Sequence, residues 1–272
     1  MTTTMVPDLA ERIRQLLSLF KLPTAAAEAA RRFMEAGHEP ALPTLLEVLE
    51  AERGERSQRR CDRLRRASRL PPGKTFDTLE PARIPRTVLA QLRELAKGEF
   101  LERADNVLCF GLPGRGKTHA AAALGHALVQ AGHSVLFTPA FRLVQDLLAA
   151  KRDLAPPRAL AQLDAFELLI LDDIGYVQQH AEEVEVLFTL LAERYERRSL
   201  LITSNLVFAE WDRIFKNPMT TAAAIDRIVH HSVILEFNGK SVRAETAEER
   251  TRGRADRPIE EKEGPKDPPK KR

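Results

Sequence analysis

Residues 111–118 read GLPGRGKT and fit the pattern G-x-x-x-x-G-K-[ST], whose glycines let backbone N–H groups close around phosphate oxygens. The segment follows an apolar stretch typical of a strand and begins a stretch typical of a helix, which is the context that this motif requires. We expect the ammonium group of Lys117 to reach the β and γ phosphates and the Thr118 hydroxyl to bind Mg²⁺. A glycine turn that fits the pattern by chance is the alternative. The predicted nucleotide site consists of Gly111, Leu112, Pro113, Gly114, Arg115, Gly116, Lys117, Thr118 and His119.

Two carboxylates, Asp172 and Asp173, directly follow the apolar residues 168–171. In nucleotide-hydrolysing proteins with such a loop, the first acid at the end of a buried strand helps to hold Mg²⁺. The second is placed to polarise the attacking water, although aspartate is one methylene shorter than the glutamate that many such ATPases have there. We therefore predict that Asp172 is a metal ligand and that Asp173 is the general base. Helix capping by Asp173 is the alternative.

A third apolar stretch, residues 200–203, runs into the polar side chains of Thr203, Ser204 and Asn205. In a parallel sheet this end lies at the same edge as the phosphate loop, so a polar group there can position the attacking water. Asn205 is the first candidate for this role, and Thr203 is the second. Helix capping by Ser204 or Asn205 is the competing interpretation.

Phosphoryl transfer also gains from an arginine that stabilises charge on the transferred group, often supplied by a neighbouring subunit. Arg227, shortly before the last predicted strand, is the candidate, and Asp226 beside it is able to orient it. The alternative is that both are surface charges on a helix. We interpret His230 and His231 as structural residues, because adjacent residues on a helix point in different directions.

Short apolar segments alternate with helical patterns from Asn106 onwards. The five segments are residues 107–110, 134–138, 168–171, 200–203 and 233–237. Parallel strands joined by crossover helices form a sheet that is covered on both faces and binds ligands at the carboxyl ends of its strands. The sequence therefore predicts an α/β fold with a five-stranded parallel sheet flanked by helices.

The rest of the chain is divided by its helix signals and its composition. Near the N-terminus, Thr24 is expected to cap a second helix and Pro43 to begin a third. Residues 71–73, Pro-Pro-Gly, should end that helix, and one more amphipathic helix is predicted over residues 87–97. The predicted parts are a small helical domain over 1–70, a linker over 71–100, an ATPase domain over 101–244 and a charged tail over 245–272, which has too few apolar side chains to fold.

Between positions 53 and 69 eight arginines accompany only two acids, a net charge of +6. Such a density attracts a polyanion, since each neutralised phosphate releases condensed counterions. A solvated helix face is the alternative. No base-reading motif is visible, so we expect phosphate contacts with little sequence preference. The predicted nucleic-acid contacts are Arg59, Arg60, Arg63, Arg66, Lys151, Arg152 and Arg158.

The composition excludes several classes of protein. In 272 residues, 43% are hydrophobic and 30% are charged, which is typical of a globular protein. No apolar run approaches the ~20 residues that a membrane helix needs, and the N-terminus lacks the pattern of a secretory signal. Two cysteines cannot form a disulfide framework. We therefore expect a cytoplasmic protein that does not bind membranes.

These motifs and their order resemble the AAA+ ATPases, and in more detail the IstB-like ATP-binding proteins, which are helper ATPases of insertion-sequence transposition. The similar segments are GRGKTHAAAALGHAL, LLILDDIGY, ERYERRSLLITSNLVFAEW and AAAIDRIVHHSVILEF, and the likeness covers roughly residues 5 to 243. The helicase loaders of the DnaC type are the second most similar group and share the same core.

The resemblance implies a function as well as a fold. It implies ATP-dependent self-assembly, DNA binding and partnership with a transposase of the IstA type. The assembled protein would deliver target DNA to this transposase or stimulate it. It also implies that Asp172 and Asp173 form the Walker B pair, that Asn205 is at the sensor position and that Arg227 acts on the ATP of a neighbouring subunit. Arg243 is a weaker candidate for a nucleotide contact.

Three other functions compete with this interpretation. A replicative helicase loader would use the same core. A metabolic kinase would need a second pocket and a lid, and the sequence offers no segment for either. A scaffold that does not hydrolyse nucleotide would not need two acids after the third predicted strand.

Overall fold

The computed structural model describes residues 5–176, 180–206, 210–211, 214 and 218–238. Its centre is one sheet of five parallel strands in the order β2-β3-β4-β1-β5. This arrangement confirms the predicted fold class. The strands are β1 (Asn106–Phe110), β2 (Val135–Pro139), β3 (Leu168–Asp172), β4 (Ser199–Ser204) and β5 (Ser232–Glu236).

Helices cover both faces of the sheet. The helices are α1 (Met5–Leu19), α2 (Pro23–Glu35), α3 (Leu42–Ser68), α4 (Arg86–Leu95), α5 (Glu99–Glu102), α6 (Lys117–Gln130), α7 (Ala140–Arg152), α8 (Pro156–Asp164), α9 (Ala181–Arg194) and α10 (Pro218–Val229). Helices α4 and α6 pack on one face, and α7 to α10 pack on the other. In β1, Leu108 faces α7 to α10, whereas Val107 and Cys109 face α6. Both faces of β1 to β4 are buried, which explains why these strands read as continuous apolar runs, whereas the edge strand β5 is partly exposed.

The long helix α3 connects two hydrophobic cores. Its first turns complete a small core with α1 and α2, in which Ile13 and Leu42 are fully buried. Its second half packs on α6 and β2, where the thiol of Cys61 lies 3.6 Å from the carbonyl oxygen of Gln130. The helix ends at Ser68, and Arg69 follows it in the left-handed conformation with φ of 53°.

One expectation for the N-terminal part differs from the structure. Thr24 does not cap α2: the helix begins at Pro23 after Leu22, without a side-chain cap. Proline favours the first helical position because its φ is already helical and it has no N–H to satisfy. The segment predicted to be a linker packs on the sheet, where Leu79, Ile84 and Phe100 are buried in the same core as β1. Proline and glycine mark turns, but they do not tell whether a turn is packed against a core.

A buried arginine fixes the loops at the amino end of the sheet. Arg194, near the end of α9, is 2% exposed and donates hydrogen bonds to the carbonyl oxygens of Leu163, Phe166 and Ser199. Burial lowers its pKa to about 10, still far above neutral pH, so the side chain remains a cation. It thereby joins α9 to the segments that precede β3 and β4.

None of the helices in the described ranges combines the length and apolarity that crossing a membrane requires. Arg243 and the predicted tail over residues 245–272 lie outside the described residues. The division into four parts remains a prediction.

Candidate nucleotide site

The loop between β1 and α6 has the backbone that a phosphate-binding loop requires. Gly111 has φ of 152°, and a Cβ atom built on it would lie 2.6 Å from the carbonyl oxygen of Phe237. Gly116 precedes α6 with φ of 88°, a left-handed conformation that L side chains rarely adopt. The loop therefore lies against Phe237, which follows β5, and presents the first turn of α6, whose N–H groups attract anions.

The ammonium group of Lys117 is held inside this loop. Lys117 is the first residue of α6 and is only 5% exposed. Its Nζ donates hydrogen bonds of 2.6 and 3.1 Å to the carbonyl oxygens of Gly111 and Leu112. A buried ammonium must be hydrogen-bonded, and these carbonyls keep it at the place where a phosphate would enter.

One threonine of β4 fixes the Asp172 carboxylate at the end of β3 and the backbone of Asp173, which follows it. The Thr203 hydroxyl donates a hydrogen bond of 2.7 Å to Asp172 Oδ1 and accepts one of 2.8 Å from the backbone N–H of Asp173. Asp173 has φ of 58°, so the chain turns sharply at this point. Thr203, the second candidate for the water-positioning role, is completely buried and contacts the acids.

Asn205 lies just beyond β4 and lines the same cavity as Asp173. Its amide oxygen is buried, and among the described residues it has no hydrogen-bond partner. The side chain packs against Gly175, where a Cβ atom would collide with it. A buried amide oxygen without a partner is costly, so it indicates a place where a ligand or a bound water belongs.

A cavity of about 310 Å³ is lined by Lys117, Asp173 and Asn205. Gly111, Leu112 and Asp172 of the predicted site do not line it. The part contributed by the motif residues is Pro113, Gly114, Arg115, Gly116, Lys117, Thr118, His119, Asp173 and Asn205. The Thr118 hydroxyl and the carboxylates of Asp172 and Asp173 are the kind of oxygen ligand that Mg²⁺ prefers. With the loop and the unpartnered amide oxygen of Asn205, this donor set fits a nucleoside triphosphate and its Mg²⁺.

The opposite wall of the cavity was not anticipated. It is formed by Lys74, Thr78, Leu79, Glu80 and Ile84 from the segment between α3 and α4. His119 holds this wall, since its Nε2 lies 3.0 Å from the Thr78 hydroxyl and 3.2 Å from the carbonyl oxygen of Thr75. These residues belong to no sequence motif. They reach the site because the segment between α3 and α4 packs on the sheet.

Burial also decides the state of a thiol next to the loop. Cys109 in β1 is fully buried, and desolvation raises its pKa to about 12. The thiol is therefore neutral at physiological pH and behaves as a small apolar side chain of the core.

Arg227 is not part of the cavity in its own chain. It lies near the end of α10, where its Nη1 donates a 3.2 Å hydrogen bond to the carbonyl oxygen of Ala223. Its guanidinium carbon is 4.9 Å from the ring centroid of Phe188 in α9. In its own chain the guanidinium group therefore contacts α9 and α10 instead of the cavity.

The expectation for His230 and His231 was wrong in its geometry. Helix α10 ends at Val229, so the two residues are not on consecutive positions of a helix. Their ring centroids are only 4.2 Å apart, and the rings meet edge to face.

The basic residues of α3 fall into two groups. Arg59 pairs with Glu55 at 2.9 Å, and Arg60 donates to the carbonyl oxygen of Gly132 at 3.0 Å. Arg63 and Arg66 are exposed and pair with no acid in the described part of the chain. These two are the α3 arginines most available to an external anion.

The other predicted nucleic-acid contacts lie around α7 and α8. Lys151 is paired with Glu185 at 2.7 Å, whereas Arg152 and Arg158 are exposed. Arg158 and Arg69, which follows α3, line the same cavity of about 500 Å³. Two arginines that are distant in sequence therefore adjoin in the fold, at a cavity that Asp146 and Asp153 also line.

The comparison with known protein families decides the assignment. The family described as IstB-like ATP binding protein matches residues 14–250. The chain belongs to this family. Among IstB-like relatives, an insertion sequence ATP-binding protein of Sinorhizobium fredii is 43% identical over 246 residues, covering 89% of this chain and 83% of the relative. The IS21 insertion sequence ATP-binding protein of Pseudomonas aeruginosa is 41% identical, covering 72% of this chain and 74% of the relative.

Solved structures place this IstB-like chain in the AAA+ fold. The crystal structure of the DnaC helicase loader superposes with a TM-score of 0.54 at 20% identity, covering 61% of this chain and 98% of the loader. AMPPCP-bound DnaA from Aquifex aeolicus gives a TM-score of 0.54 at 17% identity and covers 71% of this chain, which spans only 59% of that protein. These likenesses establish the fold alone.

Proposed function

We propose that this chain is an ATPase of insertion-sequence transposition that assembles on target DNA in its ATP-bound form and delivers that DNA to a transposase, or stimulates the transposase. The observation that carries the proposal is the cavity in which Lys117, Asp173 and the unpartnered oxygen of Asn205 meet. The family match and the names of its relatives support the link to insertion sequences. ATP hydrolysis then serves as a switch between assembled and dissociated states.

Different residues at the site serve nucleotide binding, metal binding and hydrolysis. The Lys117 ammonium leaves the carbonyl oxygens of Gly111 and Leu112 and turns to the β and γ phosphates. Thr118 and Asp172 hold the metal, and Mg²⁺ neutralises charge on the phosphates when it is bound. Asp173 accepts the proton of the attacking water, and Asn205 orients that water.

Arg227 completes the site of a neighbouring copy. Its position outside its own cavity supports action in trans, because an arginine at the γ phosphate stabilises the charge of the transition state. Hydrolysis then depends on assembly, which is the coupling that a switch requires.

DNA contacts come from the exposed arginines of α3 and α8. Arg63 and Arg66 on α3, with Arg158 on α8, are exposed, and Arg69 connects the two groups through the cavity that it shares with Arg158. The contacts are to phosphates and depend little on sequence. The partner is a transposase of the IstA type. Delivery of a replicative helicase is the second function that this fold serves, and the family match favours transposition.

Light scattering after gel filtration tests the proposal. The wild-type chain should form a larger species only with both ATP and duplex DNA, and this species should decay as ATP is consumed. In Asp173→Asn the same species should form and persist, because the carboxylate that accepts the proton is gone. Lys97→Ala, which removes an exposed lysine paired with Glu94, is the control and should behave as the wild type. A wild-type mass that never responds to ATP and DNA would overturn the proposal.

A further inference from the structure

Two turns meet at the amino end of the sheet, opposite to the edge that carries the nucleotide site. One turn joins α9 to β4, and the other joins α10 to β5. Asn106, the first residue of β1, contacts one turn and the strand that follows the other: its N–H donates to the carbonyl oxygen of His231 at 2.7 Å, and its Oδ1 accepts from the N–H of Leu200, the second residue of β4, at 2.9 Å. A buried strand therefore holds the backbone next to both turns.

Three side chains from these turns converge. Glu196, His230 and His231 each offer one ligand atom, and the three atoms lie within 4.8 Å of one another. Glu196 Oε1 is 4.0 Å from His231 Nε2. The Tyr195 hydroxyl lies 3.2 Å from His230 Nδ1 and orients that ring. All three converging side chains are exposed, so an ion reaches them from solvent without any opening of the fold.

We propose that Glu196, His230 and His231 form a binding site for a divalent transition-metal ion and that Zn²⁺ occupies it. Two imidazoles and one carboxylate are typical of Zn²⁺ sites, in which a water takes the fourth position. Mg²⁺ prefers oxygen ligands and is disfavoured by the two imidazoles.

The geometry requires only a small adjustment. In a tetrahedral Zn²⁺ site the ligand atoms are roughly 3.4 Å apart. Exposed side chains close the remaining distance by rotamer changes, while the anchored backbone stays in place. The three side chains lie close together without a metal, through the edge-to-face contact of the two histidines and the 4.0 Å approach of Glu196 Oε1 to His231 Nε2.

A metal at this site ties the end of α10 to the end of α9. Arg227 lies three residues before His230 on α10, so an occupied site restricts the helix end that carries it. The consequence for hydrolysis rests on the proposed function, whereas metal binding itself does not.

The test is a titration of the full chain, without an affinity tag, without nucleotide and after removal of metals by a chelator. Competition with a fluorescent zinc indicator should show one Zn²⁺ bound per chain in the wild type. His231→Ala and Glu196→Gln should each weaken binding at least tenfold, because each removes one of three ligands. His38→Ala, which removes an exposed histidine of the N-terminal part, should leave binding unchanged. The absence of saturable uptake, or equal binding by all four proteins, would overturn the proposal.

Electron paramagnetic resonance with Cu²⁺ as the probe provides a second measurement. The wild-type spectrum should show coupling to two imidazole nitrogens, and the His231→Ala spectrum should show coupling to one. A wild-type spectrum without imidazole coupling would contradict the site. Because neither measurement contains nucleotide or DNA, a failure here is distinct from a failure of the proposed ATPase.

Discussion

The hydroxyl of Thr203 donates a hydrogen bond of 2.7 Å to Asp172 Oδ1, so β4 fixes a carboxylate at the end of its neighbour β3. The same hydroxyl accepts the N–H of Asp173. One buried side chain thus sets the positions of the proposed metal ligand and the proposed general base.

Thr203→Val should lower the ATP turnover rate by about tenfold or more, because both acids lose the group that orients them. It should also lower the free energy of unfolding by about 1–3 kcal/mol, since a carboxylate oxygen and a backbone N–H lose a buried partner. Steady-state phosphate release and urea unfolding measure the two effects. Thr189→Val is the control, because the Thr189 hydroxyl is exposed and only bonds the carbonyl oxygen of Glu185. Equal turnover in the two variants would exclude this role of Thr203.

Asn205→Ala should reduce the turnover rate by about a hundredfold while nucleotide affinity stays within about threefold of the wild type, because the amide acts on the attacking water rather than on the nucleotide. Single-turnover hydrolysis and equilibrium binding separate the two quantities. Gln91→Ala, which removes an exposed amide on α4, should change neither. If Asn205→Ala lost nucleotide affinity but kept the wild-type turnover rate, Asn205 would bind the nucleotide and would not position the water.

Arg227→Ala should slow hydrolysis, and mixing it with Asp173→Asn should restore part of the activity. The mixture creates interfaces in which an intact Asp173 faces an intact Arg227 from the other variant, although each variant alone lacks one of them. Turnover measured against mixing ratio tests this. Arg103→Ala, in an exposed pair with Asp105, is a control for losing a surface arginine and should keep the wild-type rate. If the mixture shows only the average of its components, Arg227 does not act in trans.

Replacing Arg63 and Arg66 together by alanine should weaken DNA binding and reduce the slope of log affinity against log salt by about two, because each phosphate contact contributes nearly one unit. Fluorescence anisotropy from low to moderate salt provides both values. The control is Arg14→Ala with Arg31→Ala, which removes two arginines that are paired with acids on α1 and α2. If the slope of log affinity against log salt were unchanged in the double variant, Arg63 and Arg66 would not contact the DNA.

The sheet and the phosphate loop were predictable because their signals are local. Five apolar runs alternating with helices have few arrangements other than a parallel sheet, and the GLPGRGKT segment requires a strand before it and a helix after it. The predicted strands 168–171 and 200–203 stop one residue before the observed ends at Asp172 and Ser204, and their common edge follows because parallel strands end at one edge of the sheet.

The remaining features depend on tertiary contacts that a single sequence does not contain. Thr203 ranked second because its distance to Asp172 follows from the pairing of β3 with β4. Lys74 and Thr78 carry no motif and reach the cavity only because the segment before α4 is packed. In the sequence Arg194 is one of several neighbouring charged residues. In the structure it is buried and donates hydrogen bonds to three carbonyl oxygens.

Binding of a fluorescent ATP analogue with Mg²⁺, measured by anisotropy on the purified chain, tests the central claim most directly. The wild type should show saturable binding that unlabelled ATP displaces, and Lys117→Ala should lose at least tenfold in affinity, because the buried ammonium that turns to the phosphates is gone. Lys97→Ala should bind as tightly as the wild type. A wild-type chain without saturable nucleotide binding, or a Lys117→Ala variant that binds equally well, would contradict the account.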